Sequence, residues 1–380
     1  MNKKAIWGLV VIIVVVVIIA LLGSNRSATP SKEPIKIGVS TMLSGSWASL
    51  GTNIVNAAKL AVADINDSGG INGRPLQLVV EDAGLDSKTG LSAAQKLINT
   101  DGIRYIIGGT SVNGTMAAAP IANENHAIYM TPVTGGTNVD DAGEYVFRTA
   151  NSDLLAGRDL AEAMLKLGYK KAAVVTEVTE YTLDIDKTFQ STFKAGGGSI
   201  AVAEQFQPGT TDFRTLVAKI NVAKPQAVLV LSQTGVGGAN LIKQARQAGI
   251  AGPFFSDFTF VANADAKKIV GSFDGIYFAD PSYGGDTSST ATFFARYEKT
   301  YGSASVIPFH AASTYDSVMM LAYALRAVGD DSVKVHDWLL TSIKDWKGLM
   351  GVYSLDPKGN SDLGFLVKVM KNGVSIPVKY

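Results

Sequence analysis

The stretch AVADINDSGGINGRPLQLVVED, residues 61–82, encodes a helix, an abrupt reversal and a strand with almost no linker between them. Apolar residues at helical spacing lead up to Gly69 and Gly70, either of which can adopt the left-handed conformation that ends a helix. The Asn-Gly pair that follows favours a second tight turn, and Pro75 cannot continue a helix. A helix followed at once by a strand of opposite direction is one unit of a parallel α/β sheet.

This unit repeats along the chain. Apolar strands such as IKIGVS (35–40), KAAVVTE (171–177) and QAVLVLS (226–232) alternate with segments at helical spacing. Strands that are apolar throughout are typical of parallel sheets with helices on both faces. The sequence therefore predicts an α/β protein with two doubly wound, Rossmann-like lobes. After residue 281 we expect two or three helices, and then GVYSLD and GFLVKVM as a terminal hairpin.

One hydrophobic helix is expected to precede the lobes. Lys3 and Lys4 are followed by an uncharged apolar run over residues 5–23. As a helix this run would rise about 28 Å, close to the thickness of the hydrocarbon core of a bilayer. No convincing small-x-small cleavage site follows, so we expect a membrane anchor (1–23), with a cleaved signal peptide as the alternative. Both interpretations place the remaining chain outside the cytoplasm, after a polar linker over residues 24–34.

Composition argues against several functional classes. The 380 residues carry a formal net charge of +1, no cysteine and three histidines far apart in sequence. Thiol catalysis and Cys-type zinc sites are excluded, and the histidines lack metal-binding spacing. No Lys/Arg cluster suggests nucleic-acid binding, and GVGGAN at 235–240 lacks the third glycine of a dinucleotide motif. We expect no cofactor, no metal and no nucleic-acid partner. The sequence also contains no recognisable set of catalytic residues.

Several segments follow one another in order from residue 35 to the C-terminus: IKIGVSTMLSGSWASLG, INDSGGINGRPL, YIIGGTSVNGTMAAAPIANE, YVFRTANSD, TDFRTLVAKI and GVYSLDPKGN. With them the chain resembles the type I periplasmic binding proteins, in the branch that includes the branched-chain amino acid receptors of ABC importers. The resemblance implies two lobes that close on a small ligand, joined by crossovers that we place near Ala150, Pro281 and Gly348. The expected N-terminal lobe is 35–149 plus 282–348, and the C-terminal lobe is 150–281 plus 349–380.

The resemblance also implies part of a ligand site in the first lobe. It assigns ligand contacts after the third strand to Ser111, Val112 and Asn113, although Val112 could offer only its N–H. Ser111 and Asn113 could equally cap the next helix. In the following loop Val133 supplies a carbonyl, and Thr134 or Thr137 substitutes for a threonine whose position Gly135 occupies.

Four further residues complete the predicted site. Tyr181 matches a cleft tyrosine of the second lobe, and Asp257 is nearest to the acid that pairs with a ligand amine, displaced by about one position. Asp257 could instead cap the helix that follows. Trp47 lies near an often aromatic position of the first loop or caps the lobe edge, and Tyr283 is either a cleft or a hinge-side residue. Because of these departures from the family pattern, the ligand could be an amide, urea or an aromatic acid instead of an α-amino acid.

The loops that follow the predicted strands agree with this reading. They are rich in Gly, Ser, Thr, Asn and aromatic residues, and ligands of open α/β sheets bind beyond the carboxyl ends of the strands. We therefore expect an extracytoplasmic receptor that binds a small polar solute in an interlobe cleft and passes it to an ABC transporter permease. A ligand-sensing ectodomain of the same fold and an α/β enzyme are the alternatives. The sequence identifies neither the ligand nor the partner.

Overall fold

The computed structural model describes residues 33–45, 48–109, 111–250, 252–281, 288–302 and 309–380. The predicted anchor and nearly all of the predicted linker lie outside these ranges, as do Trp47 and Tyr283. Within the ranges given, none of the helices combines the length and the apolar character that crossing a bilayer requires.

The first lobe is built on a sheet of five parallel strands. The strands are β1 (Ile35–Thr41), β2 (Leu76–Asp82), β3 (Tyr105–Ile107), β4 (Ile128–Thr131) and β5 (Val146–Arg148), in the order β2-β1-β3-β4-β5. Between them run α1 (Ala48–Asp67), α2 (Ser87–Ala94, continued by a π-helical segment, Gln95–Thr100), α3 (Val112–Glu124) and a 3-10 helix, Thr137–Asp141. Separate apolar clusters pack on the two faces of the sheet, as a doubly wound fold requires.

The second lobe contains a sheet of seven strands in the parts of the chain that the structure describes. Five are parallel: β6 (Lys171–Glu177), β7 (Ser199–Phe206), β8 (Ala227–Leu231), β9 (Phe254–Asp257) and β10 (Ile276–Pro281). The helices are α4 (Asp153–Lys166), α5 (Glu180–Ala195), α6 (Arg214–Ala223), α7 (Val236–Gln247), α8 (Phe258–Ala262) and α9 (Ala264–Val270). This sheet also has a core cluster on each face, so the predicted α/β fold with two lobes is confirmed.

The C-terminal part of the chain differs from the sequence prediction. After α10 (Ser288–Tyr301), α11 (Phe309–Val328) and α12 (Ser332–Ser342) come two short strands, β11 (Trp346–Gly348) and β12 (Gly351–Tyr353), which pair with each other. Strand β13 (Phe365–Lys371) pairs antiparallel with β10 and with β14 (Val374–Pro377), so the second sheet has the order β14-β13-β10-β9-β8-β6-β7. The predicted hairpin of GVYSLD and GFLVKVM is therefore wrong, because β13 buries alternate apolar residues by extending the second sheet.

The reversal at residues 66–76 forms as its sequence predicts. Gly70 has φ +72° and donates its N–H to the carbonyl of Ile65 at 2.9 Å, which closes the last turn of α1. The Asn66 side chain then exchanges two hydrogen bonds with the backbone of Leu76, at 2.7 and 3.0 Å. A Cβ on Gly70 would lie 2.2 Å from the carbonyl oxygen of Arg74, so no other residue fits.

The chain passes between the lobes at three places. It leaves the first sheet after β5 and enters the second lobe at α4, and it returns after β10. Buried residues from Leu349 to Leu363 belong to the core cluster of the first lobe, whereas Phe365 belongs to a cluster of the second. The predicted domain boundaries stay predictions, and this packing favours a third crossover near Gly364 rather than Gly348.

Candidate ligand-binding site

A cavity of about 670 Å³ lies between the two lobes. Its walls are the loops that follow the carboxyl ends of β1, β2, β3, β4, β6, β8 and β9, together with the crossover segments. The first lobe contributes Met42, Leu50, Leu85, Ser111, Val112, Asn113, Val133, Thr134, Gly135, Gly136, Phe309 and His310, and the second contributes Asp153, Glu180, Tyr181, Gln233, Thr234, Phe258, Thr259 and Asn263. The structure thus brings together six of the nine predicted site residues around one cavity, five from the first lobe and Tyr181 from the second.

Ser111 is the N-cap of α3, and the one proton of its hydroxyl group is donated within the protein. The Oγ atom accepts the N–H of Gly114 at 3.0 Å and donates to the carbonyl of Leu85 at 2.8 Å. Val112 and Asn113 form the first turn of α3, where backbone N–H groups have no acceptor within the helix. The contribution that α3 can make to an anion at this wall therefore comes from N–H groups rather than from the serine hydroxyl.

Thr134 is buried, and it also bonds to the protein itself. Its Oγ1 donates to the carbonyl of Gly109, and its own carbonyl accepts from the hydroxyl of Thr131 at 3.2 Å. Thr137, the other candidate substitute, lies farther out and donates its hydroxyl to Asp184 of the second lobe at 2.8 Å. Neither threonine hydroxyl has a proton left for a ligand carboxylate.

Asp257 ends β9 and caps the short helix α8. Its carboxylate accepts the N–H of Thr259 at 2.8 Å, the hydroxyl of the same residue, and the Tyr181 hydroxyl at 3.4 Å. Asp257 is fully buried and reaches the cavity only through Tyr181 and Thr259, which line it. Burial raises the pKa of Asp257, and burial followed by the charge of Asp257 raises the pKa of Tyr181.

Asp153 is a cavity residue that the sequence interpretation missed. It occupies the first turn of α4, and its N–H donates to the carbonyl of Gly135 at 2.8 Å. Burial raises the pKa of its carboxyl well above the usual range, and the charges of Asp184, Asp257 and Asp140 raise it further against the opposing effect of Arg148. Acidic residues are common in the first turn of a helix, where they stabilise the helix end. The sequence therefore gives no signal that Asp153 lines a cavity.

Aromatic rings close the cavity from both lobes. Phe258 contacts Tyr181 edge-on at 6.3 Å between ring centroids, and it contacts Phe309 of the first lobe in the same manner at 5.3 Å. Next to Phe309, burial lowers the pKa of His310 to about 3, so this imidazole is neutral near neutral pH. The sequence interpretation assigned no role to Phe258.

The lobes are held together on opposite sides of the cavity. On the hinge side, Arg148 is buried and donates to Asp140 at 2.5 Å and to the carbonyl of Ala150 at 2.5 Å, and the Ser361 N–H donates to the Arg148 carbonyl at 2.8 Å. Asn151 donates to the carbonyl of Gly364 at 2.6 Å. Arg148 thus couples two crossover segments directly.

On the mouth side, two residues of the 3-10 helix contact two carboxylates of α5. Thr137 donates to Asp184, and Asn138 donates to Glu180 at 2.6 Å. We call these four residues the clasp. Glu180 and Asp184 are four residues apart and therefore lie on one face of α5. Because each bond joins one lobe to the other, the clasp belongs to a closed arrangement.

No set of three or more His, Asp or Glu side chains among the described parts of the chain is arranged to hold a metal ion. The site consists of backbone groups, amides, hydroxyls, rings and carboxylates around a space for a small molecule. Two doubly wound lobes with such a space at their facing strand ends define the class of bilobed solute-binding proteins.

Comparison with known proteins identifies the family. The periplasmic binding protein family model matches residues 34–361. The Leu/Ile/Val-binding protein of Escherichia coli strain K12 is 30% identical over 252 residues, which are 66% of this chain and 68% of that protein. The chain therefore belongs to the periplasmic binding protein family, as the resemblance indicated, and it is a solute-binding receptor. Family membership implies an extracytoplasmic location.

Solved structures agree with this assignment. The branched-chain amino acid substrate-binding protein LivJ of Streptococcus pneumoniae, in complex with isoleucine, is 26% identical with a TM-score of 0.76 and covers 90% of this chain and 97% of its own. A Rhodopseudomonas palustris solute-binding protein in complex with 4-hydroxybenzoate is 21% identical with a TM-score of 0.78, covering 92% and 96%. The similarity to the Rhodopseudomonas palustris protein shows the fold alone. Of the two bound ligands, isoleucine carries an amine and 4-hydroxybenzoate does not.

Proposed function

We propose that this protein is the receptor of an ABC importer and that it binds an amino acid or a related small polar solute between its lobes. The observation that carries the proposal is the cavity of about 670 Å³, lined by polar loops of both lobes at the carboxyl ends of their strands. Its family membership and the ligands bound by its relatives support the solute class.

In the proposed site, Ser111, Val112, Asn113, Val133 and Thr134 form the wall of the first lobe. Tyr181 and Asp257 act from the second lobe, the latter through its charge. Trp47 and Tyr283 stay predictions, because both lie outside the described residues.

Transport requires closure of the lobes without making or breaking a covalent bond. A ligand can favour the closed state only by the difference in its affinity for the closed and open states. An inversion from 1:99 to 99:1 requires about 5.5 kcal/mol of that difference. A few charge-assisted hydrogen bonds and one ring contact are of that order.

A thermal-shift screen over amino acids, small amides and aromatic acids tests the receptor function, followed by calorimetry of the hits. We expect a saturable ligand that mass spectrometry recovers unchanged after incubation. Turnover of that ligand would instead indicate an enzyme. Copurification with a permease, rather than with a sensor kinase, is expected from cells that produce the full chain.

We also propose that residues 5–23 tether the receptor to the membrane. The support is the length of the uncharged apolar run after Lys3 and Lys4. The full chain should sediment with membranes and resist carbonate extraction, whereas the chain from residue 24 onward should be released. Recovery of the full-length product without its first residues would favour a cleaved signal.

A further inference from the structure

His310 lines the cavity with an imidazole ring that is buried but forms no hydrogen bond. It is the second residue of α11, and it is only 5% exposed. Its Nδ1 atom is buried without a partner in the described parts of the chain. The ring packs against Phe309 at 4.0 Å between centroids, and the hydroxyl of Thr314 bonds the backbone carbonyl of His310 rather than the ring. The protein therefore leaves this imidazole unpaired at the cavity wall.

A buried histidine without partners is costly for the fold. Its neutral ring carries one N–H donor and one acceptor nitrogen, and buried polar groups of this kind almost always have a partner. Burial is the one cause that lowers the pKa of His310 to about 3, and no charged side chain contributes to the shift. Leucine or phenylalanine would fill the same space without the cost of unpaired polar atoms. Packing alone therefore does not explain a histidine at this position.

His310 lies near the end of the cavity where the chain crosses between the lobes. One turn further along α11, the Ser313 hydroxyl donates to the carbonyl of Thr149 at 3.4 Å, just before the first crossover. At that crossover Asn151 lines the cavity, and its Oδ1 atom is likewise buried without a partner among the described residues. The other lining residues of the crossover segments are Ala150, Pro281 and Phe365. This end of the cavity thus combines unpaired polar atoms with apolar side chains and carries no charge.

We propose that His310 determines ligand specificity by forming a hydrogen bond to an uncharged polar group, a hydroxyl or a carboxamide, at the end of the solute that lies against the crossover segments. Hydroxyl and carboxamide groups each offer a donor and an acceptor, so they match a neutral imidazole in either tautomer. A charged group there would be buried without a counter-charge, and an aliphatic group would leave the ring unpaired. The inference rests on the proposed receptor function and narrows its solutes to those with a neutral polar end, against purely aliphatic ones.

Pairs of solutes with nearly the same shape, of which one member carries the polar group, test this proposal on the full chain by calorimetry. The pairs are threonine and valine, asparagine and leucine, tyrosine and phenylalanine, and 4-hydroxybenzoate and benzoate. In the pair that binds most tightly, we expect the hydroxyl or carboxamide member to bind at least tenfold more tightly, because its partner leaves a buried polar group unpaired. A smaller preference, or none, overturns the inference and leaves the receptor function standing. Failure of all eight probes contradicts the proposed solute class as well.

Two substitutions of His310 supply the second measurement. His310→Leu removes both ring nitrogens, so we expect it to bind the two members of the pair within threefold of each other. His310→Asn has nearly the same shape as His310→Leu but keeps a polar atom close to the position of Nδ1, so it should retain a preference of at least fivefold.

The control His126→Asn removes an exposed imidazole of the same lobe at a position with φ +50°, which asparagine tolerates, and it should keep the wild-type preference. Thermal unfolding of each variant checks folding. His310→Leu should melt no lower than the wild type, because an apolar side chain of similar volume replaces a buried unpaired polar one. An unchanged preference for the polar solute in folded His310→Leu overturns the proposal.

Discussion

Ser111 illustrates how a residue at a ligand cavity can serve the fold first. Its single hydroxyl proton is donated to Leu85, 26 residues earlier in the chain, while its lone pair caps α3. The capping role considered from the sequence is therefore present, and the ligand contact stays a prediction. The two roles predict different effects for the same substitution.

Replacing Ser111 by alanine should lower the free energy of unfolding by about 1 kcal/mol, the usual cost of losing an N-cap. Ligand affinity should change less than threefold, because the hydroxyl group has no free proton. Urea unfolding and calorimetry measure the two effects. The control is Ser92→Ala, whose hydroxyl bonds the carbonyl of Lys88 on an exposed helix face, and it should stay within about 0.5 kcal/mol of the wild type. A tenfold loss of affinity with unchanged stability would contradict the structural role.

At the scale of single elements, the turn after α1 joins the helix to β2 through backbone and side-chain bonds. Gly69 and Gly70 both have positive φ, at 97° and 72°. A Cβ on Gly70 would collide with Arg74, whereas a Cβ on Gly69 has no neighbour within 4 Å among the described residues. A substitution at Gly69 therefore costs only the unfavourable backbone conformation, whereas a substitution at Gly70 adds a steric clash.

Gly69→Ala should destabilise the protein by about 1–2 kcal/mol, the cost of left-handed backbone for a residue with a Cβ. Gly70→Ala should lose about 1–3 kcal/mol more, because the neighbouring backbone must also move. Each variant is the control for the other in urea unfolding. An equal loss of unfolding free energy in both variants would show that the Arg74 carbonyl can move away without an energetic cost.

Helix α11 carries a buried acid whose titration should be visible in stability. Asp316 accepts the N–H groups of Leu349 and Met350 at 2.8 and 2.9 Å and the hydroxyl of Tyr353 at 3.3 Å. Burial outweighs these bonds and raises its pKa from 3.8 to about 6. Between these two values the folded state binds more protons than the unfolded state, so stability falls as pH rises from about 4 to about 6 and is level above.

The contribution of Asp316 to that fall is about 3 kcal/mol at most. Asp316→Asn should therefore lose less stability than the wild type between pH 4 and pH 7, as measured by urea unfolding at both values. The control variant Asp265→Asn changes an exposed acid, and it should show the same difference in stability between pH 4 and pH 7 as the wild type. The same pH dependence in Asp316→Asn and the wild type would show that this carboxyl does not titrate in the window.

Local chemistry accounts for what the sequence could predict at this scale. The reversal at Gly70 depends on residues within ten positions, and its geometry was predicted correctly. The terminal hairpin was wrong because β13 pairs with β10, with Ala279 opposite Val367, and such pairing is decided by an exposed sheet edge rather than by the nearest strand. Asp153 escaped notice for the same reason, since its closeness to Gly135 exists only in the folded lobes.

At the scale of the whole molecule, closure is supported by bonds that do not involve ligand. The clasp joins the 3-10 helix of the first lobe to α5 of the second through Thr137–Asp184 and Asn138–Glu180. Neither Thr137 nor Asp184 lines the cavity within the described residues. Because these bonds exist only when the lobes meet, they should bias the receptor towards closure and so contribute indirectly to affinity.

Thr137→Val removes one clasp hydroxyl with little change in shape, at a cost of about 1 kcal/mol to the closed state. The closed-to-open ratio should then fall about fivefold, since 1.4 kcal/mol corresponds to tenfold. We expect ligand dissociation to accelerate by a similar factor, with a larger radius of gyration of the free protein in solution scattering. The same change on an outer helix, Thr300→Val, removes a bond to the carbonyl of Arg296 and should alter neither quantity. In the double variant Thr137→Val/Asp184→Asn, the two losses of closed-state stability should not add, because the two side chains share one bond. Additive losses would show that the clasp does not act as a unit.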